Sequence, residues 1–261
     1  MLLAEHADDI ARLTGMGRAI VEFGSGSSTK TPVLLDALRP AVYFPIDISS
    51  DFLSLSADLL AAVYPEIQVV PLVGDFTGPI VLPYEIDGPF TGFFPGSTIG
   101  NFAPHAAIDL LRSFRTALGS GAALVIGIDT RKNPRLLEAA YDDAAGVTAA
   151  FNLNLLHRIN RELDGSIDVS AFEHRALWHD RLGRIEMHLV AIKPTEMHVA
   201  GRHFVMQAGE TIHTENSYKY TLEESALLAR ASGWEPAAMW TDPDVMFGLH
   251  VWRAAPEHME P

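Results

Sequence analysis

The segment Val21-Glu22-Phe23-Gly24-Ser25-Gly26-Ser27-Ser28-Thr29-Lys30 places two glycines and a lysine directly behind a short apolar run. Without Cβ atoms, Gly24 and Gly26 let the backbone turn sharply and come close to a ligand. Asp47 ends the next apolar run, and Gly74-Asp75-Phe76 closes the run at 67–73. A carboxylate about twenty residues beyond a glycine turn can accept hydrogen bonds from ribose hydroxyls. Three polar strand ends in succession point to one binding edge for a nucleotide-like cofactor. The bland alternatives stand beside this: a glycine pair also makes a plain tight turn, and aspartates at such places also cap helices.

The same residues discriminate between cofactors. A dinucleotide site wants a third glycine and a helix N-terminus facing pyrophosphate, yet that place holds Ser28-Thr29-Lys30, and the sequence contains no phosphate-loop lysine pattern. S-adenosylmethionine carries no phosphate, and its carboxylate suits backbone N–H groups and Lys30. It is the leading expectation, with a nicotinamide cofactor as the distant rival. Further on, Phe94-Pro95-Gly96-Ser97-Thr98-Ile99-Gly100-Asn101-Phe102 follows the fourth apolar run. The Asn101 amide is either a turn or cap residue or a two-way partner for an ammonium or carboxylate.

These residues need a scaffold that brings strand ends together. Apolar runs at 20–23, 42–46, 67–73, 92–94 and 124–128 alternate with amphipathic stretches at 29–38, 51–64 and 104–118, the pattern of an α/β doubly wound parallel sheet. Two helices are expected in 134–163, joined near Gly146, with Tyr141, Val147, Phe151, Leu155, Leu156 and Ile159 on apolar faces. Antiparallel strands are expected at 172–178, 184–192, 197–200 and 203–206, with turns at Arg181-Leu182-Gly183 and Ala200-Gly201. A helix at 221–232 stopped by Gly233, then strands at 234–241 and 246–252, return to the sheet as a terminal hairpin. The expected division is 1–131 and 220–261 for a Rossmann-like core, with 132–219 as an inserted, smaller α+β substrate-binding domain.

Composition narrows the partners. Lys and Arg number 19 against 33 Asp and Glu, a net charge of −14, which argues against a long basic track for nucleic acid. The absence of cysteine removes disulfides, thiolate metal sites and cysteine nucleophiles. Acids near the start disfavour a signal peptide, and the run at 121–128 is far shorter than the roughly 20 residues of a membrane span. The expectation is a cytoplasmic, monomer-favouring protein that binds a small molecule and no nucleic acid or membrane. The 11 histidines show no His-Glu-x-x-His spacing, and His213-Thr214-Glu215 lacks the cysteines of a zinc deaminase, so no metal is expected. Ser25 and Ser97 show no His/Asp partnership for nucleophilic catalysis.

Beyond these motifs, the runs 74–77, 140–152, Ile185-Glu186-Met187-His188-Leu189 and Glu210-Thr211-Ile212-His213-Thr214-Glu215-Asn216-Ser217-Tyr218-Lys219-Tyr220 extend a likeness over essentially the whole chain. The sequence resembles the histidine-specific, S-adenosylmethionine-dependent α-N-methyltransferases of ergothioneine biosynthesis, with a class I methyltransferase fold. The resemblance implies that Gly24, Lys30, Asp47, Asp75 and Phe76 hold the cofactor, with Asp47 on ribose and Asp75 near the adenine amine. It implies that Asn101 and Tyr141 are the catalytic pair gripping the α-amino and carboxylate groups. Glu215 and Ser217 would read the imidazole, with Thr148 and Met187 shaping the pocket; the expected product is the trimethylated betaine. Read without the resemblance, Met187 is core packing, Tyr141 a helix-face aromatic and Glu215 a solvated loop acid. The family also carries a further N-terminal segment contributing to the amino-acid pocket, and this sequence starts without it. That leaves open a relative acting on another amino acid or aromatic amine, or a form that binds cofactor but is impaired in turnover.

Overall fold

The computed structural model describes residues 2–26, 28–83 and 88–255. The chain divides into two compact units, Met1–Thr130 with Tyr220–Pro261, and Arg131–Lys219. Among the described residues no helix is long and apolar enough to cross a membrane.

The first unit opens with two helices that the sequence pattern did not announce, α1 (Leu2–Glu5) and α2 (Ala7–Thr14). Their Leu3, Ile10 and Ala11 enter the core, and His6 stacks on Trp240 at 4.8 Å. Then come β1 (Ile20–Phe23), α3 (Thr31–Leu38), β2 (Val42–Asp47) and α4 (Ser50–Val63). The single strand expected at 67–73 is two short ones, β3 (Gln68–Val69) and β4 (Leu72–Val73), both pairing with β2. Pro71 between them has no N–H to give the ladder. β5 (Thr91–Phe94), α5 (Pro104–Leu118) and β6 (Ala123–Asp129) complete the parallel part. α5 starts on Pro104, whose missing N–H costs nothing in a first turn, and buries Leu110, Leu111, Phe114 and Leu118.

The second unit begins with α6 (Pro134–Tyr141) and α7 (Val147–Glu162). Leu156 is buried, but Val147 and Phe151 are 69% and 68% exposed and Leu155 39%, correcting their expected apolar role. The buried face instead runs through Asn152 and Leu156, with Leu153 and Ile159 packed beside it, a spacing of four that fits a 3.6-residue period. The strands are β7 (Phe172–His179), β8 (Arg184–Ala191), β9 (Thr195–Val199), β10 (Arg202–Met206) and β11 (Thr211–Tyr218). They form a three-stranded sheet β11-β8-β7 and a hairpin β9-β10. β11, which carries Glu215 and Ser217, falls where the sequence pattern set no strand and where Glu215, read by itself, is a loop acid.

The chain returns through α8 (Leu222–Ala231), whose Thr221 and Glu224 form a reciprocal capping box, and stops at Gly233 with φ +83°. β12 (Trp234–Thr241) and β13 (Phe247–Ala254) follow as an antiparallel hairpin, with β13 against β6. The sheet order is β12-β13-β6-β5-β1-β2-β3. It reverses direction between β1 and β5, the switch point where open α/β sheets bind ligands. On β13, His250 is 4% exposed, and burial pulls its pKa down to about 4.

Two packing features hold that switch point. Phe114 stacks on Phe23 at 3.7 Å between centroids and meets Phe94 edge-on at 5.3 Å, while Phe76 meets Phe94 and Phe114 edge-on. Glu22 is 3% exposed; its Oε2 accepts hydrogen bonds from Thr31 Oγ1 and Tyr43 OH, each at 2.7 Å. Burial raises its pKa to about 7, against the opposing pull of those two hydroxyls and of Lys30.

Truncating Phe114 to alanine removes a fully buried ring; we expect a loss of about 3–5 kcal/mol in urea unfolding. Because the folded-state pKa of Glu22 lies above its ordinary 4.5, folding favours the protonated form. Its contribution is complete below pH 4.5 and is lost as pH rises through 7. Glu22→Gln keeps an acceptor without the charge, so at pH 8 it should be more stable than the parent by up to about 3 kcal/mol. That gap should close towards pH 4.5, and a pH-independent difference would contradict the burial argument.

Candidate functional site

In the first unit, a cleft of about 210 Å³ opens at the switch point, lined by Glu22 to Gly26, Ser28 to Lys30, and Pro95, Gly96 and Thr98. The turn after β1 therefore forms one wall and the turn after β5 the other. Gly24 has φ +69°, and a Cβ there would lie 3.0 Å from the Phe76 ring, so both conformation and space require glycine. Gly26 also has positive φ, +50°. Ser27 of the same turn lies outside the described residues. The hydroxyl of Ser25, a residue 6% exposed, has no hydrogen-bond partner among the described residues, a buried polar atom that asks for a ligand or water.

Asp47 accepts from Gly26 N with Oδ2 and from Ser49 N with Oδ1, both at 3.0 Å. A carboxylate has about four acceptor positions, so these bonds orient it and leave capacity for a diol. Asp75 accepts from Thr77 N and Oγ1 at 2.9 and 2.7 Å, and those bonds hold its carboxyl below the usual range. Lys30 lines the cleft. Asn101 ends a one-turn 3₁₀ helix, Thr98–Asn101, and is exposed. Ser97 before that turn has φ +57°, and its hydroxyl accepts from Asp129 N at 2.8 Å. The structure thus gathers Gly24 and Lys30 at the cleft with Phe76 against the glycine, and sets Asn101 three residues beyond the lining Thr98.

In the second unit the sheet decides which side chains share a face. Glu215 stands opposite Met187, and Met187 opposite Ala176; Ser217 stands opposite Ile185. Cross-strand partners lie on one face. β11 carries a bulge between His213 and Glu215, so Ile212, which pairs with Leu189 towards the core, and Glu215 lie on the same side although three residues apart. Met187 is 4% exposed. Glu215 is half-buried, and burial raises its pKa while the charge of Lys219 pulls it down.

Tyr141, at the end of α6, brings its OH to 2.9 Å from Ser217 Oγ. Lys219 is a residue the motifs did not single out: 2% exposed, it donates to Tyr141 OH at 2.8 Å and to Ser217 Oγ at 3.0 Å. Its ammonium lies 4.7 Å from the Tyr141 ring centre. Behind them, His174 Nε2 lies 2.7 Å from the Tyr141 carbonyl, and His174 Nδ1 lies 2.9 Å from Asn152 Nδ2. An amide nitrogen only donates, so Nδ1 accepts and Nε2 donates to the carbonyl. Thr148 N and Val147 N are held by the Asp143 carboxylate, whose pKa those bonds lower to about 2. The one signal that pointed to Lys219 was spacing: it continues the two-residue step from Glu215 and Ser217.

On the opposite face, the ligating atoms of Glu186, His188 and His213 come within 4.8 Å of one another, a grouping invisible in sequence spacing. Both ring nitrogens of His188 have partners, Glu186 and Thr211, and Arg184 pairs with Glu186 at 2.6 Å. A neighbouring guanidinium opposes a second cation there.

The residues at the cleft fit S-adenosylmethionine: a glycine turn, a buried serine hydroxyl and a lysine in the lining, with an oriented carboxylate, Asp47, bonded to that turn from the end of the next strand, outside the lining. Comparison with known proteins agrees. The "N-alpha-methyltransferase" for histidine of Mycolicibacterium smegmatis is 39% identical over 239 residues, covering 89% of this chain and 74% of that protein. Ergothioneine biosynthesis protein 1 of Neurospora crassa is 29% identical over 96% of this chain and 29% of its own length. Among solved structures, the CcbJ methyltransferase of Streptomyces caelestis superposes with a TM-score of 0.57 at 17% identity, over 97% of this chain and 95% of that one, which supports the fold. Residues 1–254 match the family described as "Histidine-specific methyltransferase, SAM-dependent", and with its class I methyltransferase sheet the chain belongs to that S-adenosylmethionine-dependent enzyme family.

Proposed function

We propose that the protein methylates the α-amine of L-histidine, up to the trimethylated betaine, as a step of ergothioneine biosynthesis. The observation that supports this most is the alignment of Glu215, Ser217 and Met187 on one face of the second unit, with Tyr141 bonded to Ser217. In a chain of this family, that is a polar rim against an apolar floor, suited to a small aromatic ring bearing two nitrogens. The reading includes a cytoplasmic, monomeric enzyme.

When bound, S-adenosylmethionine supplies a methyl group on a sulfonium for transfer to the amine nitrogen. Gly24 and Gly26 would let the backbone approach the cofactor's methionine end, with Lys30 as partner for its carboxylate. Asp47 would accept from the ribose hydroxyls and Asp75 from the adenine amine, with Phe76 packed against the Gly24 turn. In the first unit Asn101 offers an amide oxygen to an amine N–H and an amide N–H to a carboxylate; in the second, Tyr141, whose O–H is given to Ser217, would accept from an amine N–H. Holding the nitrogen lone pair in one direction is what these two contribute to rate. Glu215 and Ser217 would read the ring, with Met187 and Thr148 setting its space. A side chain that left Glu215 and Ser217 unpaired would bind poorly.

Mass spectrometry after incubation with S-adenosylmethionine and L-histidine should show products heavier by one, two and three methylene equivalents, and a panel of other amino acids and aromatic amines should show none. Turnover of another amine in preference to histidine would replace this reading. In titration calorimetry, Glu215→Ala should weaken L-histidine by at least about tenfold with cofactor affinity intact. Asp47→Ala should show the reverse, and an exchanged pattern would overturn the residue assignment.

A further inference from the structure

We propose that Lys219 is a positioning residue that sets specificity: it makes Ser217 face the substrate as a hydrogen-bond donor, so that the site takes the imidazole ring in its neutral form. The inference rests on the proposed histidine reading and deepens it.

The argument is a count of protons and lone pairs. An ammonium has three donors and no acceptor, so at 2.8 and 3.0 Å both the Tyr141 and Ser217 oxygens accept from Lys219. Those two oxygens are themselves 2.9 Å apart, and one proton lies between them. A phenol is a stronger acid than an alkyl hydroxyl, and a bond received from an ammonium strengthens it further as a donor, so Tyr141 donates to Ser217. Ser217 Oγ then has both lone pairs filled, one by Lys219 and one by Tyr141. Its own O–H is all it has left to offer.

A neutral imidazole has one N–H and one acceptor nitrogen. Its acceptor matches Ser217 O–H, and its N–H matches the Glu215 carboxylate on the same face. An imidazolium has two N–H donors and finds no acceptor at Ser217. It would also bring a second positive charge beside an ammonium that is 2% exposed, where water screens little. The charged and titratable groups around Lys219 fit this sense. Glu215 provides an opposing charge and Tyr141 the phenol. Arg131 adds a guanidinium whose Nε donates to the Lys219 carbonyl at 3.2 Å, and His174 lies behind the Tyr141 backbone. The order Lys219, Ser217, ring, Glu215 therefore fixes one tautomer and one ring orientation.

The test is L-histidine affinity by calorimetry between about pH 5.5 and 8, bracketing a free imidazole pKa near 6.5, with S-adenosylhomocysteine present so that nothing turns over. For the unaltered protein, affinity should fall by about tenfold per pH unit below the ring pKa. In Lys219→Met, Ser217 regains a lone pair and the like charge is gone, so the fall should be markedly shallower while S-adenosylhomocysteine affinity holds. Parallel pH profiles in the two proteins would overturn the proposal. An independent reading uses the unaltered protein alone: at about pH 6, NMR of bound histidine carrying ¹⁵N in the ring should show one protonated and one unprotonated nitrogen. Two protonated nitrogens would refute the donor role of Ser217. If histidine fails to bind at any pH while S-adenosylhomocysteine binds, the histidine reading itself fails, and this inference with it.

Discussion

A carboxylate buried at the root of the glycine turn is the constraint on which the rest of the structure depends. Glu22 sits at the heart of β1 with 3% of its surface exposed, where burying charge opposes folding. Two hydroxyl donors, Thr31 from α3 and Tyr43 from β2, compensate in part and in doing so fix how α3 leaves the sheet. The turn from Gly24 to Lys30 is strung between those fixed points. Asp47 then closes it from the neighbouring strand by accepting from Gly26 N. The cleft is a consequence of this frame, and the desolvation of Glu22 is the kind of local cost that functional sites carry while the surrounding fold supplies the stability.

The second unit uses the opposite sign of the same device. Lys219 is a buried cation whose ammonium is bonded to two hydroxyls and lies beside a half-buried carboxylate. Low local dielectric strengthens each of those bonds and makes an unmatched partner costly. A polar network of this kind tolerates few exchanges, and that intolerance is how a site distinguishes substrates of similar size. The support runs deeper than the first contacts: Asn152 sets the tautomer of His174, and His174 holds the carbonyl of Tyr141.

The first unit was legible because its signals are local. Short apolar runs buried on both faces, a proline opening α5 and a glycine ending α8 each speak through their own residues. Pro71 was the exception, since its effect was to divide a run that hydrophobicity alone joins. α1 and α2 escaped because two short helices offer little periodicity to read. In the second unit β11 was missed for a specific reason. The bulge at 213–215 breaks the two-residue alternation, so apolar Ile212 and polar Glu215 share a face and no strand pattern survives. Lys219 was passed over for another: a lysine in a sequence suggests solvent, and its two-residue step from Ser217 says nothing of burial, which only the folded partners reveal. Glu215, Ser217 and Tyr141 were named through family likeness, because their chemistry arises from strands and helices distant in the chain.

The extra residue in β11 also separates two jobs that a regular strand would couple. On one side of it, Ile212 packs with the apolar cluster around Leu189; on the other, on the same surface, Glu215 stands opposite Met187 and Ser217 bonds to Tyr141 and Lys219. The packing before the irregularity and the polar bonds beyond it therefore rest on different side chains. The extra residue thus turns an irregularity of register into a division of labour along one strand, apolar anchoring at its start and hydrogen bonding at its end.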